Sequence, residues 1–330
     1  MNLISYDQKI VIFGSTGMVG SAILRSFRNS GYSKILSPSR KELDLLNNDS
    51  VKKWFHKNKP DIVIIAAAKV GGIFANNKYP ADFLLKNLKI QTNIIETSFE
   101  NSIKKLLFLG SSCIYPKYSS QPIKEEELLK SSLEPTNQWY AIAKISGLKL
   151  CEALFKQYNF NAISLMPTNL YGPGDNYDIE NSHVIASLIR RFYEAKFTSQ
   201  KEVLCWGTGN PLREFLHVDD LADASKFALE NWDIRDINAP KDQNGNTLTF
   251  LNVGTGEDLS IKNLASLISA IIGFKGDIIW DQTKPDGTPK KQLNISRIKK
   301  MGWKPKISLE DGLRHTIKLY EKERNNLFNV

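Results

Sequence analysis

Two serine hydroxyls and a thiol follow directly after an apolar run that has the pattern of a buried strand. Residues 106–109 are all apolar, and Gly110, Ser111, Ser112 and Cys113 come next. A hydroxyl can hydrogen-bond a carbonyl oxygen on which charge develops, and a thiol can exchange a proton near neutral pH. In an open α/β sheet, ligands bind beyond the carboxyl ends of the strands. The order of these residues therefore predicts a catalytic site at the end of this strand.

A tyrosine and a lysine four residues apart form a second candidate group. Tyr140 and Lys144 belong to a helical apolar pattern over residues 138–157, so both lie on one face of that helix. A nearby ammonium favours the phenolate and lowers the pKa of a tyrosine, which can then pass a proton to or from a carbonyl oxygen. The spacing alone also fits a surface pair without a role. Together with Ser111 and Ser112 it favours catalysis.

Three glycines follow the first strand pattern at a spacing of three residues. An apolar run over residues 10–13 leads into Gly14, Gly17 and Gly20, and an amphipathic helical pattern continues to Gly31. Glycines in such a turn let backbone N–H groups approach a pyrophosphate and allow close helix–strand packing. The motif alone also fits an ordinary glycine-rich turn. Its setting between a strand and a helix favours a dinucleotide site.

Strand and helix patterns alternate through the first half of the chain. Further strands are predicted at 34–37 and 105–110, and over 61–72 a buried strand that runs into a small-residue loop. Helices are predicted at 49–58 and 80–101. This order predicts an α/β protein, with a Rossmann-type doubly wound parallel sheet and a smaller C-terminal α/β substrate domain. We expect a nucleotide-binding domain over residues 1–167, to which 213–235 and 250–255 return, and a mainly substrate-binding domain over 168–330.

Composition limits the classes of function. The 330-residue chain carries a formal charge of +9, but its lysines are spread along the whole length. Zinc-finger spacing and RNA-binding aromatic motifs are both absent from the sequence, so we expect neither nucleic-acid binding nor a metal site. A basic surface also suits a small, multiply anionic substrate such as a nucleotide diphosphate.

Hydropathy and cysteine usage bear on the cellular location. The sequence contains no apolar stretch long enough for a membrane span, and its first residues lack the apolar core of a signal peptide. Its three cysteines are an odd number, which argues against a disulfide framework. We therefore expect a cytoplasmic protein with reduced thiols, in which Cys151 and Cys205 are core residues.

Segments spread over nearly the whole chain resemble the extended short-chain dehydrogenase/reductases, and within them enzymes that act on GDP-sugars. The resemblance rests on 65-IAAAKVGGI-73, 76-NNKYPADF-83, 107-LFLGSSCIYP-116, 134-EPTN-137, 140-YAIAK-144, 166-MPTNLYGP-173, 182-SHVI-185, 213-REFLHVDD-220 and 283-TKPDGTPKK-291. It implies NADPH-dependent 3,5-epimerisation and 4-reduction of GDP-4-keto-6-deoxy-D-mannose to GDP-L-fucose. Action on another GDP-4-keto-6-deoxy sugar, such as a heptose, or reduction alone, is the alternative.

The resemblance also implies a role for each catalytic candidate. Ser111, Tyr140 and Lys144 would form a reductase triad, in which Tyr140 protonates the C4 oxygen as hydride reaches C4. Cys113 and His183 would be the acid/base pair for inversion at C3 and C5. The residue types suit this chemistry, because both carbons are α to the C4 ketone and both side chains can titrate near neutral pH.

Structural roles remain open for some of these side chains. Cys113 could be a small buried residue beside a strand. His183 could be a contact at the start of the helix predicted over 183–196. Ser112 competes with Ser111 for the ketone, because alternation puts successive side chains on opposite faces. The resemblance selects Ser111.

Cofactor choice depends on Arg40, which follows the second strand, where the adenosine ribose binds. An arginine there suits a 2′-phosphate and so predicts NADP(H), although a solvated loop arginine is the alternative. The family often carries a second arginine in the glycine turn, where this chain has Thr16, so the strictness of the NADP preference stays open. The implied cofactor contacts are Gly14, Ser15, Thr16, Gly17, Met18, Val19, Gly20, Arg40, Asp44, Leu45, Ala66, Ala67, Ala68, Leu109, Gly110, Ser111, Ser112, Tyr140, Lys144, Pro167, Thr168, Asn169, Leu170 and His183.

The resemblance further implies contacts with the substrate and with a second copy of the chain. Arginines suit a diphosphate, and a tryptophan suits stacking on a base or packing on a sugar, although each also fits an ordinary surface position. Helices near 80–101 and 138–157 commonly pair across a two-fold axis in this superfamily, which predicts a homodimer. The implied contacts with the GDP-sugar are Asn169, Arg191, Trp206, Arg213 and Lys284.

Overall fold

The structure is a computed structural model that describes residues 2–179, 181–284 and 286–328. Its helices and strands are, in chain order, β1 (Ile10–Phe13), α1 (Met18–Asn29), β2 (Ile35–Leu36), α2 (Asn48–Asn58), β3 (Ile62–Ile65), α3 (Ile73–Lys78), α4 (Pro80–Glu100), β4 (Lys105–Leu109), α5 (Gln138–Tyr158), β5 (Ala162–Pro167), β6 (Asn169–Tyr171), α6 (Val184–Phe197), β7 (Glu202–Trp206), β8 (Leu212–Arg213), β9 (Phe215–His217), α7 (Val218–Asn231), β10 (Phe250–Val253), β11 (Leu259–Ser260), α8 (Ile261–Ile272), β12 (Asp277–Asp281), β13 (Lys290–Lys291), α9 (Ser296–Lys300) and α10 (Leu309–Phe328).

A parallel sheet forms the centre of the described chain. Its six strands run in the order β10-β5-β4-β3-β1-β2, and every neighbouring pair is parallel. β1, β3, β4 and β5 are buried along their whole length, as their continuous apolar patterns predict. The order reverses at β1, with β2 on one side and β3 on the other. The predicted Rossmann-type fold is confirmed, and a ligand crevice is expected at this reversal.

Helices cover the sheet in two groups. α1 packs against α7, whereas α4 packs against both α2 and α5. α2, α4 and α5 lie where the 3.6-residue periodicity predicts them, within one or two residues at each end, whereas the short helix α3 was not predicted.

The second half contributes a separate apolar core and several small sheets. α6, β7, α8 and α10 bury their apolar faces against one another. β8 joins β11 and β13, β7 joins β12, and β9 joins β6. Residues 213–217 thus form strands outside the central sheet, whereas β10 joins it beside β5.

A buried carboxylate links the chain around β8 and β9 to later loops. Glu214, between these strands, accepts the backbone N–H groups of Leu293 at 2.7 Å and Gly256 at 2.8 Å. Burial raises the pKa of this carboxyl. Because both donors come from later loops, Glu214 ties β8 and β9 to the C-terminal half of the chain.

None of the helices formed by the described residues is both long and apolar enough to cross a bilayer.

Candidate active site

The glycine turn leaves no room for side chains at two of its positions. Gly14 has φ +89°, and a Cβ there would lie 2.6 Å from the backbone nitrogen of Ala67. A Cβ on Gly20 would lie 2.1 Å from the Gly14 carbonyl oxygen, whereas a Cβ on Gly17 would meet that oxygen only at 3.6 Å. The backbone at the start of α1 is therefore held against the end of β3, an arrangement that fits a dinucleotide pyrophosphate.

The residues after β2 lie near this turn but outside the main cavity. The Ser15 hydroxyl is 3.5 Å from the Ser37 carbonyl oxygen, which links the turn to the segment after β2. Thr16, Arg40 and Asp44 are exposed. The residues predicted to contact the adenosine thus lie on an open surface near the glycine turn.

A cavity of about 650 Å³ lies beyond the carboxyl ends of β3, β4 and β5. It brings together most of the predicted site residues, which come from both halves of the chain. Those that line it are Met18, Val19, Ala66, Ala68, Leu109, Gly110, Ser111, Ser112, Cys113, Tyr140, Lys144, Pro167, Thr168, Asn169, Leu170, His183, Arg191, Trp206 and Arg213. Those outside its lining are Gly14, Ser15, Thr16, Gly17, Gly20, Arg40, Asp44, Leu45, Ala67 and Lys284.

Tyr140 and Lys144 lie on the cavity side of α5, as their spacing predicts. The Lys144 ammonium donates to the Leu109 carbonyl oxygen at 2.8 Å and lies 5.7 Å from the centre of the Tyr140 ring. Burial lowers the pKa of Lys144 to about 8.

The pKa of Tyr140 shifts in the direction opposite to the one we predicted from the Tyr/Lys spacing. Burial of the phenol raises it, and the nearby Cys113 adds to the effect. Withdrawal of the phenol from bulk water is thus the largest cause of the shift, and it disfavours the phenolate. Tyr140 is therefore a neutral phenol at physiological pH, which is the form that donates a proton.

Amide side chains on α4 position the elements that carry these groups. Asn87 accepts the backbone N–H of Lys69 at 2.8 Å and donates to the Lys69 carbonyl oxygen at 3.0 Å, which fixes the loop after β3. Gln91 donates to the Ala143 carbonyl oxygen at 2.5 Å, within the helix that carries Tyr140. Sequence reasoning missed both amides, although each is a buried polar residue on an apolar helix face.

The Ser-Ser-Cys stretch forms a short 3₁₀ turn over Ser112–Ile114. Ser111 precedes the turn in an extended conformation, and its hydroxyl oxygen accepts the backbone N–H of Cys113 at 3.3 Å. Both serines line the cavity, and Ser112 is the more deeply buried of the two. Cys113 is buried and also lines the cavity. Burial raises the pKa of its thiol.

His183 is the residue that precedes the first turn of α6. Its side chain makes no capping hydrogen bond to the helix, and it lines the cavity. Burial lowers the pKa of its imidazole, which favours the neutral ring. His183 thus lies at the start of α6, as predicted, but its side chain lines the same cavity as Cys113.

An exposed tryptophan between two cations marks the outer part of the cavity. The Arg191 guanidinium lies 5.4 Å from the centre of the Trp206 ring, and the Lys284 ammonium lies 5.6 Å from it. Lys284 does not line the cavity, but it lies beside Trp206, which does. Arg213 lies further in, and burial lowers its pKa.

Comparison with known proteins shows the family of the chain. The model of the NAD dependent epimerase/dehydratase family matches residues 10–239. The chain belongs to this family. It is 52% identical over 314 residues to GDP-L-fucose synthase 1 of Arabidopsis thaliana, covering 95% of this chain and 93% of that protein. It is 49% identical over 313 residues to the GDP-L-fucose synthase of Escherichia coli strain K12, covering 94% of this chain and 95% of that protein.

A solved structure agrees with this result. The GDP-mannoheptose C4 reductase from Campylobacter jejuni with NADP bound has a TM-score of 0.86 and 35% identity, and the match covers 96% of this chain and 99% of that one. The predicted relationship to epimerase/reductases of GDP-sugars is confirmed, and so is a nicotinamide cofactor.

Several polar residues of the cavity wall were given no role from the sequence, among them residues that carry a charge or a buried amide. Within the described residues, the Asn137 amide oxygen is buried without a hydrogen-bond partner. Asp286 accepts the backbone N–H of Thr208 at 2.9 Å and its hydroxyl at 2.6 Å. The signal was present, because these residues lie in the segments 134–137 and 283–291 that carry the resemblance; Pro285 of the second segment is outside the described residues. Four of them are Glu134, Asn137, Asp286 and Lys291.

Proposed function

We propose that the chain converts GDP-4-keto-6-deoxy-D-mannose to GDP-L-fucose, using NADPH for the reduction at C4 after epimerisation at C3 and C5. One observation carries the proposal: a single cavity is lined by Ser111, Tyr140, Lys144, Cys113 and His183. The first three suit ketone reduction, and the last two suit proton exchange beside a ketone. Relatives about half identical in sequence, named GDP-L-fucose synthases, support the same activity.

The reduction uses the groups at the ends of β4 and α5. When bound, NADPH supplies the hydride. The neutral Tyr140 phenol gives its proton to the C4 oxygen, and the Ser111 hydroxyl hydrogen-bonds that oxygen. Lys144, anchored on the Leu109 carbonyl oxygen, stabilises the phenolate that remains.

The epimerisation needs a proton acceptor on one face of the sugar and a donor on the other. Cys113 follows β4 and His183 precedes α6, so they approach the cavity from different walls. When one of them takes the proton from C3 or C5, the electron pair of the C–H bond moves onto the C4 oxygen. Ser111 and Tyr140 stabilise the resulting enolate, and the second group returns a proton on the opposite face.

The outer cavity supports a nucleoside diphosphate. Trp206 is 54% exposed, which leaves part of its ring accessible for stacking on guanine, and the Arg191 and Lys284 cations lie 5.4 and 5.6 Å from the ring centre. Arg213 and Asn169, deeper in, are placed for the diphosphate and the sugar. The order of these groups puts the 4-keto sugar towards Tyr140.

The preference for NADPH is part of the proposal and depends on Arg40. Arg40 is exposed on the segment after β2, which the Ser15 hydroxyl links to the glycine turn. A 2′-phosphate bound there would remain partly solvated and would pair with the Arg40 guanidinium. We expect Arg40→Met to lower kcat/KM for NADPH about tenfold and to leave that for NADH unchanged, since one charge-assisted pair is lost. An equal loss with both cofactors would assign Arg40 to structure.

The activity is tested by incubating the protein with NADPH and the 4-keto sugar in deuterated water. NADPH consumption, deuterium at C3 and C5, and GDP-L-fucose are the expected result. Consumption without this deuterium would show a simple reductase. Absence of consumption would contradict the proposed substrate.

A second candidate substrate is a GDP-4-keto-heptose, because a solved relative carries the name of a GDP-mannoheptose reductase. The presence of both Cys113 and His183 in the cavity favours an enzyme that also epimerises. Side-by-side kcat/KM values for the two sugars decide between them.

We also propose a cytoplasmic homodimer built on α4 and α5. These helices pack on each other, and they expose Leu85, Trp139 and Ile142, which are 54%, 38% and 37% exposed. Pairing of two such faces would bury these apolar side chains. Light scattering at micromolar concentration should give twice the chain mass, and a monomeric mass would contradict the dimer.

A further inference from the structure

Lys291 is a cavity residue to which nothing above assigns a role. It lies on β13, where it pairs in register with Arg213 of β8, and it lines the same cavity as Cys113. The preceding residue, Lys290, forms an ion pair with Asp258 at 3.2 Å. Among the described residues, by contrast, no hydrogen bond or ion pair holds the Lys291 ammonium. The structure therefore keeps a free ammonium in the cavity wall.

The charges around this ammonium place it in the electrostatic field of the thiol. Burial lowers the pKa of Lys291, and Cys113 is the strongest influence in the opposite direction. Arg213 lowers that pKa further and Glu134 raises it. For the thiol, Lys291 opposes the effect of burial more strongly than the Ser111 hydrogen bond or the Lys144 charge does. Tyr140 is a further titratable group near Cys113.

The chemistry at C3 and C5 requires such a charge. If Cys113 accepts the carbon-bound proton, its sulfur is a thiolate before the step. If Cys113 donates the proton, its sulfur is a thiolate after the step. A thiolate thus occurs in either direction, and burial opposes it.

We propose that Lys291 is a positioning residue for epimerisation, whose ammonium stabilises the Cys113 thiolate during the proton transfers at C3 and C5. The inference depends on the proposed role of Cys113. No bond to Lys291 forms or breaks, and its proton stays on the ammonium throughout. The alternative is that Lys291 only binds the substrate diphosphate.

The test measures the thiol without any substrate. The rate of Cys113 alkylation by iodoacetamide is followed against pH in the full-length protein, with Cys113→Ser as the blank for Cys151 and Cys205. We expect Lys291→Met to raise the midpoint by about one pH unit, since an adjacent opposite charge shifts a pKa by roughly 1–3 units. Lys290→Met is the matched control and should leave the midpoint unchanged. Lys291→Arg should restore it.

Lys291→Gln provides a second neutral variant. Its amide keeps a polar side chain in the cavity wall without the charge, so the alkylation midpoint should rise as in Lys291→Met. This variant decides the question if Lys291→Met does not fold, as judged by its thermal unfolding. An unchanged midpoint in folded Lys291→Met, or in Lys291→Gln when the first variant is lost, would overturn the proposal.

Turnover gives the second readout. Lys291→Met should reduce deuterium exchange at C3 and C5 about tenfold, and hydride transfer to an already epimerised ketone should fall much less. An increase in KM with unchanged exchange at saturation would instead assign Lys291 to the diphosphate. Because alkylation needs no sugar, failure of this inference is distinguishable from failure of the proposed activity.

Discussion

A buried lysine lies at each end of strand β4, and the two lysines differ in their neighbours. Lys105 begins the strand, and its ammonium donates to the Leu229 carbonyl oxygen at 2.8 Å, near the end of α7. Lys144, on α5, donates to the Leu109 carbonyl oxygen at the other end of the strand, also at 2.8 Å. Burial lowers the pKa of Lys105 to about 7 and that of Lys144 to about 8.

A shifted pKa alone therefore does not identify the functional end of the sheet. Lys105 anchors α7, and the charged groups that affect its pKa, Asp233 and Arg235, form an ion pair with each other. Lys144 lies beside Tyr140 and Cys113 and lines the cavity. A catalytic role is expected where a group with a shifted pKa lies beside other reactive side chains in a cavity. A structural role is expected where such a group is held mainly by backbone carbonyl oxygens.

The largest expected effect tests the carboxyl end directly. Tyr140→Phe removes the proton donor to the C4 oxygen, so we expect reduction to fall by about 10²–10⁴-fold, as for loss of a general acid. Dissociation constants for NADPH and GDP-sugar should stay within a few-fold. NADPH absorbance and equilibrium binding measure the two quantities. Tyr158→Phe, on the exposed end of the same helix, is the control.

Next in size is a change in the glycine turn at the same end of the sheet. Gly20→Ala would place a Cβ 2.1 Å from the Gly14 carbonyl oxygen, so the backbone must shift. We expect NADPH affinity to fall by more than tenfold and the free energy of unfolding to fall by roughly 1–3 kcal/mol, as for overpacking. Gly17→Ala, where a Cβ has 3.6 Å of clearance, is the matched control. Equal effects of the two substitutions would contradict the close packing.

The carboxyl end of the sheet was largely predictable from sequence, because its signals are local. A strand that ends in Gly110 and Ser111 and a helix with Tyr140 and Lys144 one turn apart need only the periodicities of strand and helix. That both groups meet follows from the general rule that ligands bind at this edge.

The other walls of the cavity could not be derived in this way. Lys291 lies in the cavity wall beside Arg213 because β13 pairs with β8, and each of these strands is two residues long. Strands this short carry no detectable period. The direction of the Tyr140 pKa shift was also wrong, because it depends on how far the phenol is withdrawn from water, which spacing cannot reveal.

A smaller effect is expected at the outer wall, away from both ends of β4. Trp206→Leu removes the exposed ring between Arg191 and Lys284, so stacking on the base is lost. We expect GDP affinity to weaken by about 1–3 kcal/mol, as for loss of one aromatic–base stack. The value of KM should rise and kcat should stay nearly constant, which initial-rate kinetics resolve. Leu204→Ala, on the same strand, is the control; a fall in kcat alone would place Trp206 nearer the reacting carbons.

An effect on stability, with none on activity, is expected at the amino end of the sheet and tests the comparison directly. The pKa of Lys105 is about 7 in the folded protein. Between about pH 7 and 10, Lys105 is therefore protonated in the unfolded chain and mostly neutral in the folded chain. The contribution of Lys105 to the free energy of unfolding therefore rises with pH in this window, by at most about 1.4 kcal/mol per pH unit. Lys105→Met removes this slope, so its stability relative to the parent protein should be greatest near pH 7 and should decline towards pH 10. Chemical denaturation at several pH values measures the difference.

Reductase activity of folded Lys105→Met should match the parent, whereas Lys144→Met should lose it. Loss of activity in both variants would mean that the two ends of β4 are not separate in function.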